Sequence, residues 1–203
     1  MTESGGLVEA TTLTAQQRGT VRAIYEDAFP DELQVPFDDL FIDRMLVLLD
    51  EDGPAGFALV RDLAETRWTF LRYYAVGRRG RGTGSAMWRS LTERLAADGR
   101  TRVIWDVEDP DEPGLPAGLV EEHLRRIVFY ERLGGRLRPV RDYLPPHDDG
   151  HAPQLLLMDA PLADEPQPAL RDLVETVYLR RYGLPADHDV VRRTLLASQL
   201  VQQ

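Results

Sequence analysis

A run of alternating glycine and arginine residues carries the clearest chemical signal in the sequence. It reads Arg79-Gly80-Arg81-Gly82-Thr83-Gly84 and lies between a predicted strand that ends at Val76 and a predicted helix that starts at Ser85. Glycines let the backbone turn tightly and approach a ligand closely, and the first amides of a helix have no partner within the helix. Because anions bind at helix N-termini, the run predicts a phosphate site. A tight turn that merely needs glycine is the alternative.

Two known kinds of phosphate loop fit this run less well. A P-loop requires a lysine, and every basic residue of this chain other than histidine is an arginine, as expected from a GC-rich genome. A dinucleotide-binding fold stays open as an alternative, because Gly80-x-Gly82-x-x-Ser85 approximates its loop and Asp106 ends the following strand. Against it, the run follows three strands in hairpin order rather than the first strand of a parallel sheet.

The elements that must position this loop are predicted from hydrophobic periodicity, turn residues and helix caps. They indicate an α/β (α+β) protein with a mixed, mostly antiparallel central sheet, flanked by helices and followed by two C-terminal helices. We predict one domain over residues 1–160, and a linker with a helical extension over 161–203. The predicted strands are 7–12, 44–49, 55–61, 68–76, 101–107, 136–144 and 154–158; the predicted helices are 14–28, 36–41, 85–97, 119–133, 169–182 and 187–200.

Composition excludes several classes of protein. The chain has 203 residues, of which 43% are hydrophobic and 29% charged, as in an ordinary globular protein. Its net charge of −10 argues against nucleic-acid binding, and the lack of cysteine excludes disulfides, thiolate nucleophiles and cysteine-bound zinc. No apolar run approaches the ~20 residues of a membrane span. With no secretory signal visible, we expect a soluble, cytoplasmic protein without membrane contact.

Two motifs in order resemble the GCN5-related N-acetyltransferase (GNAT) superfamily. Arg79, Gly82 and Gly84 fit its signature of arginine or glutamine, two residues, glycine, one residue, then glycine or alanine. The segment Ile127-Val-Phe-Tyr130-Glu-Arg-Leu-Gly134 is similar to the end of a helix in that family. The resemblance covers about residues 7–158. Four positions depart from the family pattern: Gly77, His123, Arg126 and Gly135, where the family often has proline, asparagine, alanine and phenylalanine.

The resemblance implies an acetyltransferase that uses acetyl-coenzyme A (acetyl-CoA) and acetylates a primary amine of a small molecule. The backbone of Tyr74, Ala75 and Val76 would pair with the pantetheine arm. The loop would hold the pyrophosphate, chiefly through its amides from Arg81 to Ser85. Tyr130 would be the catalytic donor to the departing thiolate, with a core aromatic as its alternative role. An acyl-CoA sensor without turnover is the alternative function. The implied cofactor-binding residues are Tyr74, Ala75, Val76, Arg79, Gly80, Arg81, Gly82, Thr83, Gly84 and Ser85.

The general base is left unassigned, because the predicted strand before the loop contains no acidic residue from Thr69 to Ala75. Asp106 and Glu108 share one face of the next strand and are the nearest candidates, although a solvated strand end is the favoured interpretation. Water relayed through Tyr73 or Tyr74 is a further possibility.

Three other groups of residues invite a functional interpretation. Residues 29–37 fall where the family forms its acceptor wall, and their acidic side chains could meet a cation, although a solvated helix face is favoured. A His/Asp cluster suggests a metal, but its flanks indicate a solvated hairpin loop, so we predict no metal site. An aromatic and aliphatic stripe on the first C-terminal helix indicates packing or a homodimer contact. The groups are Asp31, Glu32, Asp38 and Asp39; His147, Asp148, Asp149 and His151; and Leu173, Val177, Tyr178 and Tyr182.

Overall fold

The structure is a computed structural model that describes residues 6–29, 34–78, 80, 82–146 and 154–201. In these ranges it has a mixed α/β fold, with a seven-stranded, mostly antiparallel sheet flanked by helices, as predicted. The strand order is β1-β2-β3-β4-β5-β7-β6. The strands are β1 (Leu7–Glu9), β2 (Arg44–Asp50), β3 (Gly53–Asp62), β4 (Trp68–Val76), β5 (Arg102–Glu108), β6 (Arg136–Leu137) and β7 (Leu155–Pro161); the helices are α1 (Ala15–Ala28), α2 (Thr83–Ala97), α3 (Ala117–Glu131), α4 (Leu170–Tyr182) and α5 (Asp189–Ala197).

Local sequence signals account for most element boundaries. Thr14 caps α1 through a capping box in which its hydroxyl accepts from the amide of Gln17, whose side chain accepts from the amide of Thr14. Strand β4 has the predicted bounds. The first predicted strand is shorter than expected, because residues 10–12 turn into a 3₁₀ helix. Residues 37–42 form another 3₁₀ helix after Pro36, where a short helix was predicted.

Three boundaries differ from prediction in ways that affect the candidate site. Helix α2 begins at Thr83, two residues early, because Gly82 adopts a left-handed conformation that serves as its N-cap. Helix α3 runs from Ala117 to Glu131 instead of 119–133. The strand predicted at 136–144 forms only at Arg136–Leu137, since Pro139 has no amide to donate to a ladder.

The first of two compact units contains Met1–Arg61 and Leu71–Arg100. Its core surrounds Tyr25 of α1, whose ring meets Phe57 at 6.2 Å and Tyr73 at 5.5 Å between centroids. The Tyr25 hydroxyl also donates to the carbonyl of Val35 and accepts from its amide. Burial raises the pKa of Tyr25 to about 12. This core fixes α1 against strands β2 to β4 of the same unit.

The second unit contains Asp62–Phe70 and Thr101–Gln203. Helices α4 and α5 share its core with Phe70 and Ile104, which confirms that the C-terminal helices pack onto the preceding fold. The stripe on α4 is part of this core: Leu173, Val177 and Tyr178 are fully buried. The domain boundary between residues 160 and 161 stays a prediction. None of the helices in the described ranges is long and apolar enough to cross a membrane.

Candidate functional site

The glycine loop of the first unit leaves its backbone open. Gly80 and Gly82 have φ angles of +87° and +76°, which favour glycine. Apart from their neighbours in the chain, no described residue has an atom within 4 Å of the place where a Cβ would stand on either glycine. Arg79 and Arg81, both predicted cofactor-binding residues, lie outside the described residues.

The N-terminus of α2 offers hydrogen-bond donors at the same place. The first α-helical bond joins the amide of Ala86 to the carbonyl of Gly82 at 3.0 Å, so the amides of Thr83, Gly84 and Ser85 precede the helical ladder. Gly82 has no side chain with which to cap them. Amides at the positive end of a 15-residue helix suit an anion such as a phosphate group.

Strand β4 is fastened to this helix by a contact that the sequence did not predict. The Tyr74 hydroxyl donates a 2.6 Å hydrogen bond to the carbonyl of Gly84, and its ring meets Trp88 edge-on at 5.9 Å. Tyr74, predicted to act through its backbone, thus also sets the position of the first turn of α2. The proton of this hydroxyl is therefore donated to Gly84.

Gly56 on β3 is a second feature of this region that sequence reasoning missed. A Cβ on Gly56 would stand 2.6 Å from the carbonyl oxygen of Ala75 and 2.9 Å from Sδ of Met87. The predicted pantetheine-binding residue Ala75 therefore keeps its place only because residue 56 has no side chain. A glycine inside the predicted strand 55–61 was the available signal.

Tyr130 lies on α3 in the second unit, against an aromatic neighbour. Its ring and that of Trp105 have centroids 4.8 Å apart, and only 6% of the residue is exposed. Burial raises the pKa of Tyr130 well above its usual value, so it stays a phenol at neutral pH. Gly135 provides the room: a Cβ there would be 2.9 Å from the Tyr130 carbonyl and 3.0 Å from the Trp105 ring. At position 135, where the family often has phenylalanine, this chain has glycine, and the indole of Trp105 occupies the space beside it.

Two further departures, His123 and Arg126, lie on the same helix as Tyr130 and bring a buried imidazole and a positive charge to it. Arg126 makes a short ion pair with Glu108 of β5 and a 3.4 Å contact with Glu122. Burial opposes ionisation of Glu108, but Arg126 outweighs it and lowers the pKa of the carboxyl. His123 is 8% exposed, and its Nδ1 has no hydrogen-bond partner among the described residues. Glu108 is therefore not a solvated strand end.

Asp106 is likewise engaged by other side chains of the second unit. Its Oδ1 accepts a 2.9 Å hydrogen bond from Tyr143, and its Oδ2 accepts one from Tyr182 of α4. Burial raises the pKa of Asp106 to about 6, although the two hydroxyls and Arg181 oppose the rise. The interpretation of Asp106 as a solvated strand end is wrong, because two tyrosines cap it.

The remaining predicted groups contribute little to the described site. Tyr73 packs against Phe29, with centroids 4.9 Å apart. Asp38 and Asp39 are exposed, which agrees with their interpretation as part of a solvated helix face. Asp31 and Glu32 lie outside the described residues. The His/Asp cluster at His147, Asp148, Asp149 and His151 also lies outside them. Within the described ranges, no group of three or more His, Cys, Asp or Glu residues is arranged to hold a metal ion.

A comparison with known families identifies the region that contains the loop. Residues 18–117 match the model of the acetyltransferase (GNAT) family. The chain carries a GNAT acetyltransferase domain. The matched residues include β4, the glycine loop and α2, so the GNAT signature predicted at Arg79, Gly82 and Gly84 lies inside the match. Tyr130 lies beyond it. No curated protein matches the sequence.

Solved structures show that the GNAT fold extends through most of the chain. A GNAT-family protein from Bacteroides thetaiotaomicron, described as an acetyltransferase, is 22% identical with a TM-score of 0.68, covering 88% of this chain and 98% of that one. An aminoglycoside 6′-N-acetyltransferase complexed with coenzyme A is 16% identical with a TM-score of 0.59, covering 79% and 99%. The ribosomal-protein-S18-alanine N-acetyltransferase from Escherichia coli is 16% identical with a TM-score of 0.55, covering 81% and 98%.

Proposed function

We propose that this protein is an N-acetyltransferase that moves an acetyl group from acetyl-CoA to the primary amine of a small molecule. The observation that carries the proposal is the N-terminus of α2, where Gly82 opens the backbone and three amides precede the helical ladder. Two GNAT relatives of known structure were solved with coenzyme A, which supports the same donor here. Acetyl-CoA supplies an acyl group activated as a thioester.

The residues of the loop and of β4 bind and orient. The amides of Thr83, Gly84 and Ser85 hold the pyrophosphate, together with the loop residues Arg79 to Gly82. The main chain of Tyr74, Ala75 and Val76 pairs with the pantetheine amides in the manner of an added strand. The hydroxyl of Tyr74 donates to the carbonyl of Gly84 and so fixes the position of β4 relative to the N-terminus of α2.

Tyr130 donates a proton to the departing sulfur. The amine nitrogen bonds to the acetyl carbon, and the carbon–sulfur bond breaks. The nitrogen then carries one proton more than the amide product needs, and this proton passes to water. The buried phenol is a suitable donor because it keeps its proton at neutral pH and can stabilise negative charge that develops only as the bond breaks. The negative charge of the protein, −10, favours approach of a cationic amine.

A thiol-release assay over a panel of polyamines, aminoglycosides and amino-acid amines tests the proposal. We expect release with at least one amine, and a loss of about 10²-fold or more in kcat for Tyr130→Phe. Binding of coenzyme A, measured by calorimetry, should stay within about threefold of wild type. Release that is equally fast in Tyr130→Phe would contradict the role of the tyrosine. Binding of acetyl-CoA without release on any amine would favour the sensor, and a thermal shift with NAD but none with coenzyme A would favour a dinucleotide fold.

A further inference from the structure

Arg126 and Tyr130 occupy neighbouring positions on one helix. Residues four apart on an α-helix have Cβ atoms roughly 5–6 Å apart, and a long helical side chain leans toward the turn that precedes it. The ring of Tyr130 therefore leans toward the turn of α3 that contains Arg126 and Ile127. His123, Ile127 and Tyr130 are the buried residues of this helix, and Arg126 lies beside them with 38% of its side chain exposed.

The guanidinium of Arg126 is held in place by partners at two sides. Glu108 at the end of β5 forms the short ion pair, and Glu122, one turn earlier on α3, lies 3.4 Å away. Neighbouring Arg125 has an ion pair of its own with Glu121, but 66% of its side chain is exposed. The helix thus presents one fixed, half-buried arginine beside Tyr130 and one solvated arginine that faces elsewhere.

Two opposite charges act on the phenol, and the positive one is stronger. Burial has the largest effect on the pKa of Tyr130 and raises it. Arg126 has the second largest effect and lowers the pKa, and Glu108 raises it by less. A partly buried charge acts through a lower dielectric than a solvated one, so it is screened less. Glu108 and Arg126 thus act on the phenol in opposite directions, and Glu108 also holds the guanidinium in place.

Resting on the proposed function, we propose that Arg126 is a positioning residue that makes Tyr130 a stronger proton donor. Its positive charge stabilises the phenolate that forms as the proton moves from Oη of Tyr130 to the departing sulfur. The phenolate then regains a proton from water, so the protein returns to its starting state. The family often has alanine at this position, whereas here Arg126 opposes part of the rise that burial causes in the pKa of Tyr130.

Kinetics of three variants provide the first test. Arg126→Met removes the charge and keeps most of the length, and we expect kcat to fall about tenfold with KM for acetyl-CoA nearly unchanged. Arg126→Lys should retain most of kcat because it keeps a positive charge. Arg125→Met is the matched control on the same helix and should behave as wild type. In a Tyr130→Phe background, Arg126→Met should have no further effect, because the two residues act as one unit.

A titration that needs no turnover provides the second test. Trifluorotyrosine, whose phenol is several pH units more acidic than that of tyrosine, placed only at position 130 reports its ionisation by ¹⁹F NMR, and in Arg126→Met it should titrate at higher pH than in the otherwise unchanged protein and in Arg125→Met. Unchanged titration, or a rise in KM for acetyl-CoA with unchanged kcat, would overturn the proposal. If the wild type releases no thiol with any amine, the proposed function fails, while the titration still decides whether Arg126 tunes Tyr130.

Discussion

The hydroxyl of Tyr143 donates a 2.9 Å hydrogen bond to Oδ1 of Asp106, and the hydroxyl of Tyr182 occupies the other oxygen. Tyr182 ends helix α4, so the C-terminal helices reach strand β5 through this carboxylate. Two neutral donors solvate the carboxylate less well than water does, which agrees with a pKa raised to about 6.

The stability of the protein should therefore depend on pH through Asp106. Since the folded state holds this proton more tightly than the unfolded chain, the stabilisation is full below about pH 4 and is lost as the pH rises through about 6. The loss is at most about 3 kcal/mol. In urea unfolding, wild type should therefore lose stability relative to Asp106→Asn between about pH 4 and pH 7. Other carboxylates cancel in this difference, and a difference that is constant with pH would contradict the prediction.

Replacement of Gly82 by alanine should separate strain from ligand binding. Its φ of +76° makes a Cβ cost about 1–2 kcal/mol, and the Cβ would stand at the proposed pyrophosphate site. Gly99→Ala is the matched control, because Gly99 follows α2 with a φ of +80° and equally open surroundings. Both variants should lose similar stability in urea, but only Gly82→Ala should weaken coenzyme A binding in calorimetry. Equal affinities for coenzyme A would count against the loop as its site.

A side chain on Gly135 should disturb the packing of Tyr130. In Gly135→Ala, the new Cβ would press on the Trp105 ring at 3.0 Å and on the Tyr130 carbonyl at 2.9 Å. We expect a loss of about 1–3 kcal/mol in the free energy of unfolding. Gly118 lies on the first turn of α3, the helix of Tyr130, and a Cβ there would have no neighbouring atom within 4 Å outside the adjacent backbone. Gly118→Ala should therefore be neutral or stabilising by about 0.5–1 kcal/mol. A neutral Gly135→Ala would show that the indole can move aside.

Removal of the Tyr178 hydroxyl should weaken the connection between the C-terminal helices. This buried hydroxyl lies 2.8 Å from Oγ1 of Thr194 on α5 and accepts from the amide of Leu144 at 3.3 Å. Tyr178→Phe should cost about 1–3 kcal/mol, because it leaves that amide without this partner. Thr194→Val should cost less when added to Tyr178→Phe than on its own, and additive losses in chemical unfolding would argue against a shared network.

The sequence predicted those elements whose signals are local. Helix α1, predicted over 14–28, and strand β4, predicted from its aromatic and β-branched residues, depend on consecutive residues, and both lie where they were predicted. The strand predicted through residue 144 was too long, because Pro139 has no amide to donate to a ladder. Helix α2 starts early because Gly82 takes a left-handed conformation, which residue type permits but does not require.

The surroundings of the predicted site residues depend on contacts between distant segments. Tyr130 was singled out by its motif, but Glu108 and Arg126 are 18 residues apart, and nothing in their spacing marks them as a pair. Asp106 is joined to Tyr182 across 76 residues by a helix that the family pattern does not include. Such pairings arise when the folded chain brings distant segments together, and the residue types and spacings of one sequence do not reveal them.

The shared core of the second unit has a consequence for synthesis on the ribosome. The segments of the first unit are complete once Arg100 has emerged, whereas the interior that covers Phe70 and Ile104 also needs Leu195. At ~5–20 residues per second, that delay lasts roughly 5–20 s. During this interval the nascent chain exposes apolar surface that α4 and α5 cover later, so chaperone demand should concentrate there.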